Sequence, residues 1–145
     1  MRQNTFDAAV TDFVQALGLL VRRLRTAGGT QALPWSHTIV MKQLANDGPA
    51  TTADLARAQG MKPQSMGAVI AALEDMKLVE RKPHPTDGRQ MNIMLTAKGA
   101  ALHKSAMDAR LAWLAKAIAQ LDEDEQKTLF VAGAIVKRLV EADPQ

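Results

Sequence analysis

Cysteine is absent from the 145 residues. That excludes disulfides, thiolate zinc sites, haem attachment through CxxCH and thiol redox sensing. Histidine is scarce: His37, His84 and His103 stand far apart. A metal sensor that combined them with carboxylates would have no ligand spacing behind it, so neither a metal nor a cofactor is expected. There is no phosphate-binding glycine loop and no HExxH. Ser36 and His37 are sequence neighbours, which does not make a nucleophile–base pair, and no carboxylate is placed to orient the ring. No catalytic residue, and no enzyme, is therefore expected. No apolar run approaches the ~18 residues that a membrane span needs. The opening MRQNTFDAAVTDF is polar and acidic where a signal peptide is apolar, so the expectation is a cytoplasmic protein away from membranes. Charge of one sign is not in large excess: 18 Lys+Arg face 15 Asp+Glu. That suits a polyanion partner and is too mild to establish one.

What is present is helical pattern. The length fits a single domain over 1–145. Phe6, Val10, Phe13, Leu17, Leu20 and Leu24 recur at steps of four and three, one face of a helix that Gly28-Gly29 stop. Leu33-Pro34-Trp35-Ser36 opens a second helix with Ile39, Val40, Met41 and Leu44. Thr52 is a plausible N-cap for a short third helix ending at Gly60, and Pro63 suits the first turn of a fourth, running to about Met76. The period then changes. Leu78–Lys82 and Gln90–Leu95 read as two strands joined by Pro83-His84-Pro85-Thr86-Asp87-Gly88-Arg89, a turn sequence. Such a hairpin must pack on helices to persist. Thr96 caps a long helix with Met107, Leu111, Leu114, Ile118 and Leu121, and Asp122-Glu123-Asp124-Glu125 opens a last one. The fold class is mainly α with a small β-hairpin (α+β). Both terminal helices carry more apolar surface than the central part needs. They pack on their own domain, or they interleave with a second chain.

Three features stand in a row. A helix-turn-helix runs from Thr52 to Met76, with small Ala56 where the helices cross and Gly60 in the turn. By itself it is a weak signal. The outer side of its second helix carries Lys62, Gln64, Ser65, Gly67, Ala68, Ala71 and Ala72, with no acid before Glu74-Asp75. Gly67 inside a helix costs roughly 1 kcal/mol relative to Ala. Close approach to another surface explains that, and so does close packing on a neighbouring helix. Arg81, Lys82, His84, Arg89 and Gln90 then cluster on the hairpin. The Asp87 carboxylate can accept from turn amides and from Arg89, aiming that guanidinium as a probe for a narrow minor groove. The alternative is a solvated turn with a surface ion pair worth ~0–1 kcal/mol.

The stretch from Thr52 to Gly99 resembles the winged helix-turn-helix of the MarR family of bacterial transcription regulators. It does so through the helix-turn-helix, Leu-Val-x-Arg, the Asp-x-Arg wing and Leu-Thr-x-x-Gly as a set. The resemblance implies a winged helix-turn-helix over 34–100 and dimerisation helices at 5–27 and 101–142. It further implies a homodimer, recognition helices in adjacent major grooves of double-stranded DNA, wings in the minor grooves, and often a small effector. A repressor on a pseudo-palindromic operator follows; a winged-helix protein adaptor that never touches DNA is the alternative. Carried over by position, Pro63, Gln64, Ser65 and Gly67 read bases. Arg89, oriented by Asp87, enters the minor groove, and Thr52, Lys62, Lys82, His84 and Gln90 meet phosphate. Two departures stand out. Lys77 occupies a position where many members have Gly, and Gly67-Ala68 replace a Thr-Arg pair, removing a long donor for guanine. A small aromatic or anionic effector would sit where the winged part meets the terminal helices, with Trp35, His37, Met41, Arg22 and Trp113 as candidate lining. Packing and capping roles for the Trp and His residues are the alternative.

Overall fold

A computed structural model describes residues 2–29 and 33–142. The chain runs α1 (Gln3–Ala27), α2 (Trp35–Asp47), β1 (Ala50–Thr51), α3 (Thr52–Ala58), α4 (Pro63–Asp75), β2 (Val79–Pro83), β3 (Met91–Leu95), α5 (Ala97–Ile118) and α6 (Glu123–Glu141). The expected hairpin is part of a three-stranded antiparallel sheet of order β1-β3-β2. Arg81 faces Ile93 on one side of β3, and Ala50 faces Ile93 on the other. Each hairpin strand starts one residue later than expected. Leu78 stays outside β2, where its carbonyl accepts the Thr96 N–H at 3.1 Å.

Local chemistry explains the boundaries. The cap of α3 is Thr51, not Thr52. Its Oγ1 accepts from Asp54 N at 3.1 Å, the Asp54 carboxylate accepts the Thr51 N–H in return, and Thr52 is the first helical residue. Thr96 caps α5 by accepting from Gly99 N at 3.0 Å, and Asp122 caps α6 by accepting from Glu125 N at 2.8 Å. The helices α3 and α4 end in the same hydrogen-bonded motif. Met61 N donates to Ala56 O and Gly60 N to Arg57 O; Leu78 N donates to Leu73 O and Lys77 N to Glu74 O. This motif needs a left-handed residue. Gly60 supplies it at φ 62°, whereas Lys77 is forced there at φ 64°. Thr96 Oγ1 donates to Lys77 O at 2.6 Å and helps hold the strained peptide.

The core gathers Val40, Met41 and Leu44 of α2, Leu55 and Ala56 of α3, Met66, Val69, Ile70 and Leu73 of α4, and Leu78, Val79 and Ile93 around the sheet. Gly99 lets α5 begin against β2: a Cβ there would stand 2.0 Å from Leu78 O. The terminal helices differ. Neither α1 nor α6 has a buried residue. Leu20 and Leu24 are half-buried on α1, while Phe6, Val10, Phe13 and Leu17 of the same stripe are exposed. On α6, Leu129, Phe130, Val131, Ile135, Leu139 and Val140 are exposed, Phe130 at 62% and Val140 at 72%.

Candidate nucleic-acid interface

The outer face of α4 is built by its start. Lys62 is the N-cap residue in extended geometry, and Pro63 occupies the first turn, where its missing N–H removes no helical bond. Met66, Val69, Ile70 and Leu73 turn inward, leaving Lys62, Pro63, Gln64, Ser65, Ala68 and Ala71 exposed. Gly67 is half-buried, yet a Cβ added to it meets nothing within 4 Å. Packing on a neighbouring helix of this chain therefore does not account for the glycine, and the surface beyond it is open.

At the far end of β2 and β3 the turn is folded on itself. Asp87 Oδ1 accepts the Arg89 N–H at 3.1 Å and faces Arg89 Nε at 3.4 Å. The Arg89 side chain is 95% exposed, so this ion pair is worth about 0–1 kcal/mol and sets direction rather than stability. His84 N donates to Gln90 O and Gln90 N to Asp87 O, both at 3.0 Å, which gives Gln90 a part in closing the turn through its backbone. Lys82 Nζ lies 3.6 Å from Glu80 Oε1 on the exposed face of β2. Thr52 lies across the sheet, beside Gln90 and Met91 on the wall of a shallow hollow of about 360 Å³. The hollow thus sets the start of α3 against the base of the wing, and Arg81 Nε, donating to Glu74 Oε1 at 3.3 Å, ties β2 to the far end of α4.

A second feature lies behind this face. An open cavity of about 730 Å³ lies among α1, α2, α5 and the end of α3. Val21, Leu24, Met107, Leu111 and Leu114 give it an apolar wall, and Arg25, Lys42 and Arg110 bring positive charge to its margin. Trp35 lines it, with Arg25 stacked 4.7 Å from the indole centroid. Arg22 lines an adjoining hollow of about 210 Å³. Three expected lining residues lie elsewhere. Trp35, Thr38, Ile39 and Lys42 share the cavity face of α2 at helical spacing, so Met41 falls in the core instead. His37 falls off that face too and pairs with its neighbour, Ser36 Oγ standing 3.2 Å from Nδ1; burial lowers its pKa. Trp113 packs under Arg23, 4.4 Å from the ring centroid.

Residues passed over in the sequence complete this region. Gln59 Nε2 donates to Gln43 Oε1 at 2.8 Å across the cavity, joining α2 to the helix-turn-helix. Arg110 Nε donates to Leu24 O at 3.2 Å and closes the end of α1. Neither pair has a local sequence signature, because the partners are 16 and 86 residues apart. Among the described residues no group of three or more His, Asp or Glu could hold a metal ion, and no helix is long and apolar enough to cross a membrane.

Comparison with known proteins agrees with this geometry. The family model described as the MarR family matches residues 33–90. An uncharacterized HTH-type transcriptional regulator of Mycobacterium bovis, Mb0904, is 37% identical over 134 residues, covering 92% of this chain and 94% of its own. The HTH-type transcriptional repressor Rv2887 of Mycobacterium tuberculosis is 33% identical over 122 residues, covering 83% and 88%. Among solved structures, a mutant of S. aureus MepR bound to an oligodeoxyribonucleotide superposes with a TM-score of 0.67 at 20% identity, over 93% of this chain and 98% of that one. The chain belongs to the MarR family, whose members are DNA-binding transcription regulators rather than enzymes.

Proposed function

We propose that the protein is a sequence-specific transcriptional repressor that binds double-stranded DNA as a homodimer on a pseudo-palindromic operator. The observation that carries this reading is Arg89, held by Asp87 and almost wholly exposed at the tip of the wing. In this reading Pro63, Gln64, Ser65 and Gly67 meet base edges in the major groove. Gln64 suits adenine, and the small residues leave room for a thymine methyl. Thr52, Lys62, Lys82, His84 and Gln90 meet phosphates, which fix register without reading sequence. Arg89 enters the minor groove, where negative potential favours a guanidinium. The exposed apolar stripes of α1 and α6 support a partner copy. Two-fold pairing then sets half-site centres about one helical turn (~10 bp) apart. Rv2887's name and the MepR–oligonucleotide complex support the repressor and DNA assignments.

The cavity suits a small aromatic or anionic effector: an apolar wall, an indole, and three cations against the single carboxylate of Asp47. Such a ligand releases DNA only by binding the incompetent spacing of the two recognition helices more tightly. The Gln43–Gln59 hydrogen bond is a direct route from the cavity to the helix-turn-helix. The test is a fluorescence titration with duplexes enriched from a random pool. Arg89→Ala is expected to weaken binding by roughly 1–3 kcal/mol and to flatten the salt dependence. Equal affinity and slope would remove the wing from the mechanism. Gln64→Ala is expected to change the enriched sequence; uniform weakening would show that Gln64 reads no base.

A further inference from the structure

The wing tip is organised by a ring nitrogen. His84 Nδ1 accepts the backbone N–H of Asp87 at 3.1 Å and that of Thr86 at 3.2 Å, and Thr86 Oγ1 lies 3.3 Å away. An imidazole nitrogen accepts only through its lone pair. These contacts therefore need the neutral ring, with its proton on Nε2. From His84 the order passes along the turn: its ring fixes the Asp87 amide, and Asp87 Oδ1 fixes the Arg89 amide and faces its Nε. The contact closes a turn as an Asn or Asp side chain does when it accepts from the amides that follow it. His84 is half-buried, whereas Arg89 is exposed, so the imidazole is the better-anchored end of this relay.

We infer that His84 is a positioning residue for Arg89, using its neutral Nδ1 as the acceptor that shapes the wing, over and above any phosphate contact through Nε2. The inference rests on the wing being a DNA contact. The acceptor role asks only for a lone pair facing the Thr86 and Asp87 amides. A His84→Asn variant keeps a side-chain acceptor without the ring.

The probe is one labelled duplex, enriched from a random pool by the wild-type protein. His84→Ala is expected to weaken binding by about 5- to 50-fold, with no change in thermal midpoint because the tip is remote from the core. The double variant His84→Ala/Arg89→Ala should lose clearly less affinity than the two single losses combined, since one residue acts through the other. His84→Asn, which keeps an acceptor, should bind within about threefold of wild type. Additive single effects, or failure of Asn to restore binding, would each overturn the inference. An Arg89→Ala protein that binds like wild type, or a pool that yields no duplex, would instead remove the DNA-binding wing and this role together.

Discussion

The winged segment and the terminal helices are made from similar residues and reach opposite ends. Within α4, four apolar side chains at helical spacing are all buried. Along α1 and α6, stripes of equal regularity leave no residue fully buried, although Leu20 and Leu24 are half-covered. The difference is partners. The winged part surrounds itself: α2, α3, α4 and the sheet close one core from Val40 to Ile93. The helix α6 is tied to the end of α5 by Gln126 Nε2, which donates to Ile118 O and Leu121 O at 3.2 and 3.1 Å. Beyond that its apolar face is open. An amphipathic helix is stabilised by what covers its apolar face, and the exposed parts of these two stripes are what a partner would cover. In the proposed assembly that partner is a second copy.

Four substitutions or titrations press on this contrast. Leu73→Ala removes a fully buried side chain and should cost about 2–5 kcal/mol of stability at any protein concentration, read by urea unfolding. Leu139→Asp places a charge on the open stripe and should weaken self-association by roughly 2–3 kcal/mol, with the loss seen in dilution experiments. If Leu139→Asp lowers stability equally at all concentrations, α6 packs on its own chain and the contrast fails. Lys77→Gly removes a left-handed non-glycine residue and should raise stability by about 1 kcal/mol or less, part of the relief being returned as backbone entropy. The smallest effect is a pH slope. Burial, then Arg110 and Lys42, lower the His103 pKa from 6.5. The unfolded chain then takes up the proton first, so stability should fall as pH drops below 6.5 and level off once the folded ring titrates. His103→Gln should flatten that slope in thermal melts.

Much of this was legible because it is local. The α5 and α6 caps, the Pro63 start and the inward set of α4 follow from residues within a turn of each other. The departure at Lys77 was legible too, as a strained position. Other features were not. Ala50–Thr51 is too short to show a strand period, so β1 went unseen although it pairs with β3. Thr51-x-x-Asp54 is a capping box in plain view, one residue before the chosen Thr52. In α2, Ile39, Val40 and Met41 are adjacent and equally apolar, and a one-residue error swaps core for cavity: Ile39 lines the opening and Met41 does not. His84 was set against phosphate by the family resemblance, while its Nδ1 accepts two turn amides, which depends on the path of the turn backbone.

Sedimentation equilibrium of the protein with one enriched duplex puts the central claim to its most direct trial. The account predicts two chains of 15.7 kDa on each duplex, and two chains together before DNA is added at micromolar concentration. A free chain that sediments as a monomer, or a complex that saturates at one chain per duplex, would contradict it.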